Sequence, residues 1–236
     1  QSSGAPILNL ETPAGFEGKS QASTVKAINR LNALRQSETA DPGIEARIAS
    51  YELAFRMQSS APELLDLSGE TEETLRMYGI DDPGKPSYAR NCLLARRLIE
   101  RGVRFVELFH GDWDHHTNIY KRLPAECQRT DQPSAALVTD LARRGLLDDT
   151  LVIWGGEFGR SSVAQKSQAP GEPVGRDHHV DAFTMWFAGG GVAAGRSIGK
   201  TDDIGFDAIT DRWHIHDLHA TFLHALGMDH KRLTYQ

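Results

Sequence analysis

The sequence predicts an α/β domain built on a mostly parallel sheet, and three observations carry that prediction. Apolar segments of strand length at Val103–Phe109, Thr150–Trp154 and Ala182–Ala188 alternate with helical segments. The first two run directly into polar or Gly-rich loops, where ligands sit at the carboxyl ends of parallel strands. All ten histidines lie from His110 onward, in the half of the chain that holds the strands.

The elements follow in order. Residues 1–19 are Gly/Pro/Ser-rich and irregular, apart from the apolar run Ile7–Leu10. A helix is predicted over 23–37, with Val25, Ile28, Leu31 and Leu34 at three-residue steps. Asp41-Pro42 starts the next helix, an N-cap followed by Pro at the first position, with Ile44, Ile48, Tyr51 and Phe55 on one face. Pro62-Glu63 and Ser68–Thr71 mark short helices with breaks between them. Ser87–Glu100 reads as a helix with Leu94 and Leu98 inside and Arg90, Arg96 and Arg97 outside, ended by Gly102. After the strand Val103–Phe109 comes a polar loop, His110–Asn118. A helix over 134–147 closes at Gly145. The buried strand Thr150–Trp154 leads to the loop Gly155–Arg160, and a longer loop runs to 176. The strand Ala182–Ala188 ends in Gly189-Gly190-Gly191, which lacks the Lys and Ser/Thr of a phosphate-binding loop and reads as a turn. A last helix spans about 217–226. Residues 1–86 are then a helical and irregular region packed on an α/β core of residues 87–236, one domain overall.

Composition excludes several classes. Lys and Arg number 26 against 32 Asp and Glu, a net charge of −6, which argues against a nucleic-acid binder and a polybasic membrane-surface protein. The apolar stretch Phe183–Ala194 is too short and Gly-rich to span a bilayer. Cys92 and Cys127 make neither a disulfide framework nor a thiolate zinc site. The chain starts at Gln1 without an initiator Met, which is read as a mature form or a piece of a longer protein.

Three polar clusters lie at or near strand ends. In the first, His110 to Asn118, Asp114 and His116 are two apart and point to one side of an extended loop. Carboxylate with imidazole suits Zn²⁺, Mn²⁺ or Fe, while a solvated loop with backbone-capping histidines fits the same residues. In the second, Glu157 follows a strand predicted to be buried and needs a metal, an Arg or a hydrogen-bond network as partner. Arg160 is the nearest, and a purely structural Glu157–Arg160 pair is the alternative. The third, Arg176-Asp177-His178-His179, reads alone as a surface turn. A parallel sheet would bring the three together as a divalent-metal site. His216, at a helix start, is a possible site residue, and His219 a weaker one.

These residues resemble a bacterial family, the domain-of-unknown-function 1501 group. The match runs through Ala89-Arg90-Asn91-Cys92-Leu93-Leu94-Ala95-Arg96-Arg97-Leu98 and Trp113-Asp114-His115-His116. It continues with Gly156-Glu157-Phe158-Gly159-Arg160, Gly175-Arg176-Asp177-His178-His179 and His216-Asp217-Leu218-His219-Ala220-Thr221, and closes with Leu233-Thr234-Tyr235. That group is similar to the alkaline-phosphatase and sulfatase superfamily. The resemblance implies a three-layer αβα sandwich with a metal centre at the strand ends. It implies Asp114, His116 and His178 as one metal's ligands, with Glu157 where a second metal would bind. Phe158 stands where the superfamily usually has a His. The resemblance also implies a family segment upstream of Gln1 that carries the nucleophile, so this chain is read as a fragment, and it points to export. The nearby hydroxyls are Thr117, Ser161 and Ser162.

The function expected is a metal-dependent hydrolase of a small phosphate or sulfate ester. Zinc is the first expectation for the ion, with manganese, calcium and magnesium as others. Glu157 would serve as second ligand or general base, and Arg160 or Arg176 would neutralise the substrate oxyanion. Two alternatives stand beside it: a binding or scaffold protein that has lost the chemistry, and a metal-dependent phosphomutase or phosphonate-type enzyme.

Overall fold

The computed structural model describes residues 19–39, 41–166 and 170–234. The irregular segment expected over 1–19 lies outside them, Lys19 apart, as does Tyr235; the side chain of Phe55 is outside them too.

The N-terminal helices form where local signals place them. α1 spans Lys19–Thr39 and α2 Pro42–Leu65. Asp41 caps α2, its Oδ1 accepting the Gly43 N–H at 2.8 Å. α2 runs through Pro62 to Leu65 as one helix, where the sequence suggested a break. α3 spans Glu72–Tyr78, with Thr71 Oγ1 accepting the Thr74 N–H and Gly79 closing the helix in the left-handed conformation. α4 spans Tyr88–Glu100, capped by Ser87 Oγ on the Arg90 N–H. α5, Ile119–Arg143, starts well before the 134 expected, because the helix passes through Pro124 and Pro133, each of which removes one N–H from the ladder.

The buried core lies among these helices. Leu67, Tyr78, Ile80, Ala89, Cys92, Leu93, Leu94 and Ala136 form one cluster drawn from α3, α4, α5 and their connections. Cys92 and Leu93 are wholly buried. Beside the cluster, Arg96 is buried rather than solvent-facing. Its Nη2 donates to Glu70 at 2.6 Å and its Nη1 to Glu100 at 2.7 Å, and its Nε lies 2.9 Å from Asp140 Oδ2. Arg97 also reaches Glu70 at 2.8 Å, and Arg144 joins Asp140 at 2.8 Å to Glu100 at 2.6 Å. Tyr78 donates its hydroxyl to Asp140, and burial, reinforced by that carboxylate, holds the phenol well above its usual range.

Burial likewise pushes the Cys92 thiol up to about 12. A disulfide-forming thiol reagent at pH 8 is therefore expected to label Cys127 alone in the native protein and both cysteines after denaturation. Comparable native labelling of Cys92 would show that the α3–α4–α5 core does not exclude solvent.

The second half corrects the expected fold. A three-layer αβα sandwich on a parallel sheet is not what the chain forms. The strands are short and pair as three separate antiparallel two-stranded ladders. β1, Val152–Trp154, pairs with β4, Trp186–Ala188. β2, Gly159–Gln165, pairs with β3, Gly175–His179. β5, Lys200–Thr201, pairs with β6, Ala208–Thr210. The physical reason lies in the connections. Parallel neighbours need a crossover, usually a helix, whereas the chain between β1 and β4 makes a hairpin and returns antiparallel. Val103–Phe109, expected as a strand, forms none and joins no ladder among the described residues, and Phe105 and Phe109 stay exposed. α6, Ile215–Ala225, is the last described helix and packs Phe222 on Phe187 of β4. No described helix is long and apolar enough to cross a membrane.

Candidate metal centre

The site is assembled by one loop and one hairpin. The loop 112–118 is bounded by two non-glycine residues in the left-handed region, Asp112 at φ 70° and Asn118 at φ 52°, a conformation that costs energy and persists only when neighbouring contacts enforce it. At the Asn118 end those contacts come from β3 and the residues just before it. The Arg176 N–H donates to the His115 carbonyl at 2.9 Å, and the Asn118 and Ile119 N–H groups donate to Pro173 and Val174. Gly175 lies against the loop so closely that a Cβ there would overlap the His115 and His116 carbonyls. Just ahead of the loop, His110 ties the chain to α5, its Nε2 lying 2.9 Å from Glu126 Oε2. Burial works against the Glu126 charge, but His110 and Arg129 outweigh it and hold the carboxyl below the usual glutamate range.

This zipping brings three donors together. Asp114 Oδ1 lies 2.9 Å from His116 Nε2 and 3.1 Å from His178 Nε2, and the two imidazole nitrogens are 3.1 Å apart. Among the described residues these three form the one grouping of His, Cys, Asp and Glu with metal-site spacing. Tetrahedral zinc with bonds of roughly 2.0–2.1 Å sets its ligand atoms about 3.3 Å apart, so the donors stand close to that separation. Two imidazoles and one carboxylate also match the donor chemistry of a zinc site that keeps a fourth position open. The side chains of Asp114, His116 and His178 are 60%, 35% and 45% exposed, which leaves the cluster open to a small ligand.

The surroundings orient these donors. Gln165 Oε1 accepts the Nδ1–H of His116 at 2.7 Å, which directs the Nε2 lone pair toward Asp114 and His178. Gln165 carries no sequence signal of its own and was not among the candidates. Its replacement by Leu is expected to weaken zinc binding by about 10- to 100-fold at unchanged Tm, read by chelator competition. An unchanged affinity would remove Gln165 from the site. Phe158 packs its ring 4.5 Å from the His178 ring and lies under the Arg160 guanidinium. Where a second imidazole ligand was a possibility, the chain has a phenyl group that packs beside the first.

The remaining candidates separate. Arg160 Nη1 donates to Asp114 Oδ1 at 2.5 Å, and its Nη2 lies 3.6 Å from the exposed Glu157. Arg160 and then His178, as hydrogen-bond donors, hold the Asp114 carboxyl down at about 2, so Asp114 is ionised wherever the protein is studied near neutrality. Glu157 sits at the edge, linked through Arg160 and outside the three-donor group. Arg176 turns away, its guanidinium donating to the Ser161 and Ser162 carbonyls. His216 and His219 lie on α6 and are not in the cluster; the His216 ring packs against His214. Ser161 Oγ is engaged with the Val163 carbonyl.

The geometry defines a helical core carrying an exposed His/His/Asp cluster on a loop and a hairpin. The chain belongs to the family described as "Protein of unknown function (DUF1501)", whose model matches residues 1–236. No curated protein and no solved structure matches it.

Proposed function

We propose that this protein is a metal-dependent hydrolase acting on a small phosphate or sulfate ester. The observation that carries the reading is the convergence of Asp114 Oδ1, His116 Nε2 and His178 Nε2 at about 3 Å from one another. Two imidazoles favour zinc over calcium or magnesium, which prefer all-oxygen sites. A zinc ion held there supplies Lewis acidity and activates water near neutral pH. The residues of the chain do the rest. Arg160 retains N–H donors beyond those used by Asp114 and can grip a substrate oxyanion. In this reading Glu157, exposed and 3.6 Å from Arg160, takes a proton from the attacking water.

One observation favours a binding or scaffold protein as the second reading: the Arg160–Asp114 pair satisfies the ligand carboxylate from within the protein. The test separates the two. After dialysis against metal-free buffer and reloading with zinc, the protein is expected to retain about one ion per chain and to hydrolyse an aryl phosphate or sulfate. The variant Asp114→Asn with His178→Ala should lose both. Retention of zinc without hydrolysis would favour the scaffold reading, and unchanged zinc content in the variant would sink the hydrolase reading at this site.

A further inference from the structure

We infer that the substrate carries a ring with an apolar face, and that Trp113, Trp154 and Trp186 form the platform that receives it. The inference rests on the metal-site reading above and adds the class of group attached to the ester. Three of the four tryptophans of the chain gather here. Trp154 and Trp186 are directly opposite in the β1–β4 ladder, so their side chains share one face. Their rings are parallel within 6°, with centroids 6.4 Å apart. Trp113 meets Trp154 edge-on at 6.0 Å and 88°. The neighbouring pair, Ile153 and Phe187, points to the opposite face, where Phe187 packs on α6. The ladder thus spends one face on packing and turns its indoles the other way.

Two members of the platform, Trp113 and Trp154, are joined to the site along the chain. Trp113 is the residue before the ligand Asp114, and Trp154 leads through Gly155 and Gly156 to Glu157 and Arg160. Trp186 remains 37% exposed. An indole cluster with Trp186 exposed, joined to a site that carries Arg160, suits a ligand with an apolar ring face at one end and an oxyanion at the other. An aryl ring and a pyranose both offer such a face.

The experiment titrates zinc-loaded protein with phenyl phosphate, glucose 1-phosphate and ethyl phosphate, and with phenyl sulfate and ethyl sulfate, following intrinsic tryptophan fluorescence. At least one ring-bearing probe is expected to bind about tenfold tighter than the ethyl ester of the same anion and to change the emission. Trp186→Ala should abolish that preference at unchanged zinc content, and Trp186→Phe should keep most of it. The phenyl and glucosyl probes tell the two ring types apart. Equal binding of ring and ethyl esters, no binding of any ring probe, or a preference that survives Trp186→Ala would each overturn the inference. If the protein holds no zinc yet shows a Trp186-dependent ring preference, the platform stands and the hydrolase reading falls. If it holds zinc and shows no ring preference, the platform alone falls.

Discussion

Replacing Arg96 by Ala is expected to destabilise the protein by about 3–5 kcal/mol, the cost of breaking a buried ion pair from one side. Arg96 is 2% exposed and faces three carboxylates, Glu70, Glu100 and Asp140. Truncation leaves Glu70 to Arg97 alone, and Glu100 and Asp140 to Arg144 alone. Asp140 must also keep the Tyr78 hydroxyl satisfied. For a chain of this length the loss should lower Tm by on the order of 10 °C. Thermal melts of Arg96→Ala and of the double variant with Glu70→Ala would measure it. The double variant should be less destabilised than the sum of the singles, because each change removes part of the reason for the other. A loss below about 1 kcal/mol would place the network with exposed pairs, which contribute little.

Gly175→Ala is expected to abolish the proposed metal site while sparing the helices. The new Cβ would collide with the carbonyl groups of His115 and His116, which are backbone atoms and cannot swing aside. β3 must then separate from the loop, breaking the Arg176 to His115 hydrogen bond and parting His178 from His116. Ligand geometry tolerates small errors only, so zinc affinity should fall by more than about 100-fold, beyond the effect of losing an outer partner such as Gln165. The far-UV circular dichroism should hardly change, since the hydrogen bonds within α3, α4 and α5 are kept. Gly111→Ala is the control, because nothing lies within 4 Å of a Cβ there. Retained zinc affinity in Gly175→Ala would mean that the loop and hairpin do not depend on that contact.

What could be read from the sequence was mostly local. Asp41, Thr71 and Ser87 announce helix starts because a cap acts within three residues of itself. Arg96 was misplaced for the opposite reason. On the face pattern of α4 an arginine reads as solvent-facing, and its partners Glu70 and Asp140 lie 26 and 44 residues away. The parallel sheet failed similarly, since alternation of apolar runs gives strand positions but not the direction in which the chain returns. The Asp114 and His116 pairing was legible from its spacing. That His178 joins it depends on the hairpin, which the Gly/Pro/Ser composition of 155–176 disguised as loop. Phe158, where the resemblance implies a His, packs on His178 and so has a structural role.

The separation between a buried helical core and a site held on two-stranded ladders has a kinetic consequence. A two-stranded ladder is marginal without further packing, so the hairpin and its loop should open far more often than the core unfolds. Amide hydrogen exchange would then be slow across α4 and α5 and fast across 112–118, 159–165 and 175–179. A bound ion stabilises by mass action only the openings that release it. Added zinc should therefore slow exchange in those three segments and leave the core amides unchanged, mapping the site onto the chain without any substrate.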